Sequence, residues 1–394
     1  MFFHDDALAP PQPQTPGSGE GGLKNRTRQN ADAGENAVHA TKLLAPGERK
    51  LNPERPFHNH PKRRNRRERP WQKGLVIAGF FMTGIVGYLL GHSHKSTSSI
   101  ADQPGERPAS SSATAPQDGL VHLPDGSFAM GDMLDGLKDA RSHQVSLTPF
   151  MMAKHEVTFK LWDSVVLWGR DHGYPDLPAG NGKAHDHPVY GISWVDAVKW
   201  CNALSEKEGL TPCYYSEASR QNVARKGSAD IGNQQVKWEA NGYRLPTEAE
   251  WEFAARGGLA DKRFPWGNEI THEQANYHGS PLIDYDKSQH EGAAPQLMSS
   301  KPYTAAVGSF QTNGFGLYDM AGNVSEWCWD FYDPNYGTPE PQLNNPRGPD
   351  KGKNCVVRGG SWRNTAAEAR CASRFSLPGD QPVAYVGFRV VRGR

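Results

Sequence analysis

Residues 74–91, GLVIAGFFMTGIVGYLLG, are eighteen consecutive positions without a charged side chain. A helix rises about 1.5 Å per residue, so this run reaches roughly 27 Å and crosses the hydrocarbon core of a bilayer. Such a segment constrains the chain more than any other feature, because it divides the polypeptide between two compartments. Neither flank carries amphipathic segments that would bury the run in a soluble core. A cleaved secretion signal would begin near the first residue, whereas this run starts at Gly74. The reading is an uncleaved signal anchor.

The flanks set its direction. KRRNRRER, residues 62–69, holds six basic residues and one acid, and Lys73 follows; the other side offers only His92, His94 and Lys95. Lys and Arg stay in the cytoplasm, so the N-terminus is expected inside and everything beyond residue 92 outside. For a bacterial inner membrane this makes a single-pass protein with a periplasmic C-terminal domain. Gly87 and Gly91 have the spacing of helix-dimer seams, which points to a helix-mediated dimer. The formal net charge is only +1, so no whole-chain field favours nucleic acid.

Composition then divides the chain. Residues 1–73 are rich in Pro, Gly, Asn and Arg, lack apolar periodicity and read as a disordered basic tail. Residues 74–92 are the anchor, and 93–118 form a flexible Ser/Pro/Ala linker. Residues 119–394 are globular and hold all five cysteines. Two helix signals stand out there. In ISWVDAVKWCNALSEKEG, Ser193 caps, Asp196 answers three residues on, apolar residues recur every three to four positions, and Gly209 ends the run. In RLPTEAEWEFAARGG, Thr247 and Glu250 form a capping box and Gly257 stops the helix. HQVSLTPFMMAKHEVT and GFRVV read as β. Two helices among loops and short strands predict an irregular α+β domain.

Eight segments in order carry a family resemblance: PDGSFAMG, HEVTFKLW, HPVYGISWVDAVKWC, NGYRLPTEAEWEFAARGG, FPWGN, NGFGLYDMAGNVSEWCWD, RGGSW and GFRVV. The series resembles the sulfatase-modifying-factor family, also called the formylglycine-generating-enzyme family, over residues 119–394. The resemblance implies a C-type-lectin-like fold. It also implies copper(I) held by two thiolates in the loop after RGGS. Copper(I) is soft and selects sulfur, yet that loop runs Ser361, Trp362, Arg363, Asn364, Thr365, Ala366, Ala367, Glu368, Ala369, Arg370 without a cysteine. Asn364 stands near the place of the first thiolate, and an amide oxygen is a poor copper(I) ligand. Copper is not expected. Cys371 matches a structural cysteine whose partner would be at Ala255, and Cys201 matches one whose partner would be at Val390. The resemblance's two bridges have each lost an end. Among Cys201, Cys213, Cys328, Cys355 and Cys371, a bridge between Cys201 and Cys213 or between Cys355 and Cys371 stays open, in an oxidising compartment.

The resemblance implies calcium at YDMAGNVSEW, with the side chains of Asp319 and Glu326 and the carbonyls of Gly322 and Val324 as ligands. Calcium takes roughly six to eight hard oxygens, which suits such a set. Asn276 matches one ligand of a second family calcium site. Ser361, Trp362 and Arg374 match positions that line the family's substrate groove, with Asn364 beside them. The pair His185 and His187 is too small to make a metal site, and the H-x-x-x-H-x-E spacing of iron-binding relatives is absent. Two functions follow. One is a non-catalytic or accessory periplasmic domain that binds a protein or peptide. The alternative is an oxidoreductase using a different metal or cofactor, in maturation of a periplasmic protein or a siderophore.

Overall fold

The structure is a computed structural model and describes residues 119–136, 140–228, 231–336 and 342–393. The apolar run at 74–91, its basic flank, the tail and the linker lie outside the described residues. Among the described residues no helix is long and apolar enough to cross a membrane.

The first half contains β1 (Leu120–Leu123), β2 (Gly126–Met130), β3 (His143–Leu147), β4 (Phe150–Ala153), α1 (Phe159–Arg170) and α2 (Trp194–Lys207). There follow β5 (Tyr243–Arg244), α3 (Glu248–Arg256), β6 (Ser325–Phe331), β7 (Gln342–Asn344), β8 (Asn354–Arg358), β9 (Phe375–Pro378), β10 (Val386–Gly387) and β11 (Val391–Arg392). They form three small sheets, ordered β1-β4-β11-β5, β10-β6-β8-β9 and β2-β3-β7. Mixed sheets, few helices and long loops make the α+β architecture expected from the sequence.

Both predicted helices form as read. The Ser193 hydroxyl accepts from Asp196 N, and the Thr247–Glu250 capping box closes in both directions. Gly257 stops α3 in the left-handed region at φ 57°, where a side chain is strained. The third helix, α1, is absent from the sequence reading. Thr158 caps it, but no acid occupies its first turn. Its β-branched and aromatic residues read equally well as strand. Burial of Trp162, Val165 and Val166 decides the matter.

Aromatic packing replaces regular ladders over much of the interior. Trp162 and Trp200 stack at 5.6 Å, and Phe388 meets both rings edge-on. The buried indoles keep their N–H groups satisfied. Trp194 donates to Cys328 O, Trp200 to Trp162 O and Trp327 to Ile192 O. An unmet buried donor would cost about 1–3 kcal/mol each.

All five cysteines are buried free thiols, in contrast to the bridges left open above. Cys355 packs in the core cluster that holds α1 and α2, and Cys371 in a second cluster with α3. That separation accounts for the lack of a Cys355–Cys371 bridge. Cys201 and Cys213 share the first cluster.

Candidate functional site

The loop after β8 turns on Gly359 and Gly360, at φ 86° and 68°. A Cβ on Gly359 would come within 3.0 Å of the Trp251 ring. This turn places Ser361, whose hydroxyl donates to Asn364 Oδ1 at 2.5 Å, while Asn364 N donates to Ser361 O at 2.9 Å. Both residues are buried, and a closed serine–asparagine turn stands near the place that the resemblance gives to the family's first thiolate. Asn364 O accepts from His278 N at 2.8 Å, which fastens the loop to the 276–279 segment.

Trp362 is half-buried and meets Tyr303 edge-on at 5.4 Å. Its Nε1 is buried without an acceptor. Arg363 is exposed and lies 4.6 Å over the Tyr385 ring, and Lys301 lies 5.8 Å over Tyr303. Two cations and three aromatic rings thus gather around one loop. Aromatic and guanidinium side chains of this kind dominate contact energy at polypeptide interfaces.

Arg374 is placed elsewhere. It is buried, and its Nε and Nη2 meet both Glu248 oxygens at 2.6 and 2.7 Å. Its guanidinium lies over Tyr332 and Tyr336. Cys371 is buried, and burial pushes its thiol up to about 12, which Arg256 only partly opposes and which favours the protonated form.

The residues expected at calcium converge behind this loop. Asp319 has a left-handed backbone at φ 56°. Its Oδ2 accepts from Gly308 N at 2.7 Å, while Oδ1 is buried with no partner. Burial holds its carboxyl up at about 6, against the Gly308 N–H and Arg389. Asn276 Oδ1 is also buried without a donor. Glu326 is engaged differently. Arg389 grips it through Nε and Nη2 at 2.8 and 2.7 Å, and Trp251 Nε1 donates to it at 2.8 Å. Among the described residues no three acidic, His or Cys side chains converge as a ready metal cluster. The fit to a hard cation at this block therefore rests on the open oxygen of Asp319 and on the second lone pair of Glu326 Oε1, while Asn276 Oδ1 is the open oxygen at the position matched to the second site.

Two residues that the sequence reading did not single out join these parts. Asn323, at φ 58°, donates through Nδ2 to Glu156 Oε2 at 2.8 Å and accepts at Oδ1 from Ala305 N at 2.9 Å. Its backbone N donates to Asn276 O, and its O accepts from Trp362 N. Glu156 Oε1 accepts from Val324 N at 3.1 Å. Burial first, then Asp319 and Glu326, push the Glu156 carboxyl well above the usual range. The available signal was a glycine-asparagine pair, a common left-handed turn, inside a block already recognised.

With that geometry in place, comparison with known proteins identifies the family. The sulfatase-modifying factor enzyme 1-like domain matches residues 106–394. The chain belongs to this family. Chaperone protein LppX of Paenibacillus barcinonensis is 31% identical over 299 residues, spanning 73% of this chain and 93% of that protein. The formylglycine-generating enzyme of Thermomonospora curvata is also 31% identical over 299 residues, spanning 69% of this chain and 92% of the enzyme. Among solved structures, Treponema denticola variable protein 1 aligns with a TM-score of 0.54 at 28% identity, covering 70% of this chain and 95% of its own.

Proposed function

We propose that this domain is a non-catalytic member of the family that binds a protein or peptide over the Trp362–Tyr303–Arg363–Tyr385 surface. The carrying observation is the Ser361–Asn364 turn. It closes with a hydroxyl and an amide where the family's oxygen chemistry requires two thiolates, and the one nearby sulfur is buried and protonated. An aromatic and cationic rim remains around it. Similarity to a protein named as a chaperone supports a role on another polypeptide. Similarity to formylglycine-generating enzymes keeps the oxidoreductase reading as the competitor.

The discriminating experiment incubates the purified chain with a sulfatase-type cysteine peptide, copper and reductant. Mass spectrometry should find the thiol intact and no aldehyde. Multiple turnovers, or stoichiometric copper or iron in the purified chain, would overturn the reading.

The domain is proposed to face the periplasm on the anchor at 74–91. The support is the one-sided Lys/Arg flank. A phosphatase reporter fused after Arg394 should be active; an inactive one, with an active cytoplasmic reporter at the same position, reverses the topology.

Calcium is proposed at Asp319, with Glu326 and the carbonyls of Gly322 and Val324. The support is the unpartnered Asp319 oxygen beside Glu156 and Glu326, three carboxylates that share the charge of Arg389. The ion would supply structure, balancing charge that the fold otherwise buries at a cost.

A further inference from the structure

The strands β3 and β7 run parallel, with Gln144 opposite Gln342, Val145 opposite Leu343 and Ser146 opposite Asn344. Parallel strands release their following loops on the same side of a sheet. Here those loops, residues 148–149 and 345–347, are tied to each other. Asn345 Oδ1 accepts from both Thr148 N at 2.8 Å and Thr148 Oγ1 at 3.0 Å. Asn345 sits at φ 44°, a conformation most side chains avoid. The loops bound a cleft of about 320 Å3, the size at which small-ligand sites begin. It shares no lining residue with the loop around Trp362.

The chemistry of its walls is specific. Leu147 and Phe150 are apolar, and Trp238 is a partly buried ring between two cations. The Arg347 guanidinium lies 4.2 Å from the centre of that ring and Arg244 lies 5.3 Å from it. The two arginines differ in what holds them. Arg244 is buried and binds Glu250 through two contacts of 2.7 Å, and Glu250 also accepts from Thr247 N at 2.8 Å. That carboxylate is fully engaged. Arg347 is exposed, and among the described residues it makes no hydrogen bond or ion pair. Burial, then the Arg244 charge, lower its guanidinium from the usual range, against Glu250 and Glu239; Arg347 is thus the arginine of the cleft that no carboxylate holds among the described residues. A guanidinium offers a rigid planar fork that matches a carboxylate. A doubly charged anion would meet Glu239 and Glu250 on the same walls.

We propose that this cleft binds a carboxylate borne on an apolar body, with Arg347 taking the carboxylate and Trp238, Leu147 and Phe150 taking the body. A free aromatic or branched acid and the C-terminal residue of a polypeptide share that chemistry.

The test is a ligand-observed NMR titration of the full chain with benzoate, and with benzyl alcohol as its uncharged counterpart. Benzoate should saturate, with benzyl alcohol about tenfold weaker or more, the scale of one charge-assisted contact. Arg347→Ala should weaken benzoate by a similar factor and leave benzyl alcohol and the melting curve unchanged, while Arg347→Lys should recover part of the loss. N-acetyl-alanyl-phenylalanine binding more tightly than benzoate, with its amide losing that gain, assigns the site to a polypeptide terminus. Equal peptide and benzoate affinities assign it to free acids. No saturable benzoate signal, equal affinity for benzoate and benzyl alcohol, or an unchanged benzoate affinity in Arg347→Ala overturns the proposal.

Discussion

Two buried polar regions of this domain are built on opposite principles. Around α3, Glu248, Glu250 and Glu252 face Arg374, Arg244, Arg256 and Arg358, and each carboxylate has at least one guanidinium against it. Around the candidate site, Glu156, Asp319 and Glu326 share Arg389, which is committed to Glu326. The first region gives each of its three α3 carboxylates a guanidinium and behaves as scaffold, with Asp330 Oδ1 beside it as its own unpartnered oxygen. The second leaves oxygen atoms of Asp319 and Asn276 without donors. Native folds rarely keep buried polar atoms unpaired unless a ligand, water or mechanism uses them. The second region is buried as deeply as the first, yet three acids there share one guanidinium.

The contrast breaks most visibly at Arg358. It is wholly buried and bonds Glu252 and the Ser373 carbonyl. Arg358→Met should destabilise the domain by about 3–5 kcal/mol, because it strands a buried carboxylate. Denaturant unfolding measures this, and a loss under about 1 kcal/mol would mean that α3 is held by packing alone.

Asp319→Asn should act in the opposite direction when no divalent ion is present. The folded carboxyl titrates near 6 against an ordinary 3.8. Ionised Asp319 therefore disfavours the folded state above about pH 6, and the penalty fades as pH falls toward 3.8. In chelator at neutral pH the variant should be more stable than the parent by about 2–3 kcal/mol, at about 1.36 kcal/mol per pKa unit. With calcium the parent should gain melting temperature and the variant should not. A parent melting curve indifferent to chelator and calcium removes the metal proposal, while the pH-dependent gain of Asp319→Asn tests the buried charge separately.

His155 gives the smallest effect. It stacks on Tyr318 at 5.1 Å. Burial, with Arg389 and Lys154, lowers it from 6.5 to about 4. The unfolded chain therefore takes up the proton first, and stability should fall as pH drops from 6.5 toward 4. Solvent reaches the ring, so the expected loss is about 1 kcal/mol after allowance for screening. His155→Asn should flatten that part of the stability–pH curve, and an unchanged slope would exclude this residue as its source.

Local chemistry made much of the fold legible. The caps Ser193 and Thr247, the stop at Gly257 and the strands at 143–147 and 150–153 follow from neighbouring residues alone. α1 was not legible, because Phe159, Val165 and Val166 fit two periodicities until the core chooses. At the site, the sequence supplied Ser361, Trp362, Asn364 and the block from Asp319 to Glu326. It matched Arg374 to the same groove but gave no sign that the side chain would pair with Glu248, which lies far away in the chain. It also gave no sign that Arg389 would occupy Glu326, or that Glu156 would reach Asn323. Pairings across such separations leave no spacing to read; only folding reveals them.

The clamp on Asn323 has a consequence for how the protein ages. Spontaneous loss of an asparagine amide proceeds when the next residue's backbone nitrogen attacks the side-chain carbonyl. Here that nitrogen, Val324 N, is already donated to Glu156, and the amide group is itself held by the same carboxylate. Conversion of this asparagine to aspartate would set a fourth acid in the cluster, against Glu156. The bonds from Glu156 should therefore add to the shielding that the β-branched Val324 already gives, so that the ageing of the Asn323 junction is tied to a residue distant from it in the chain.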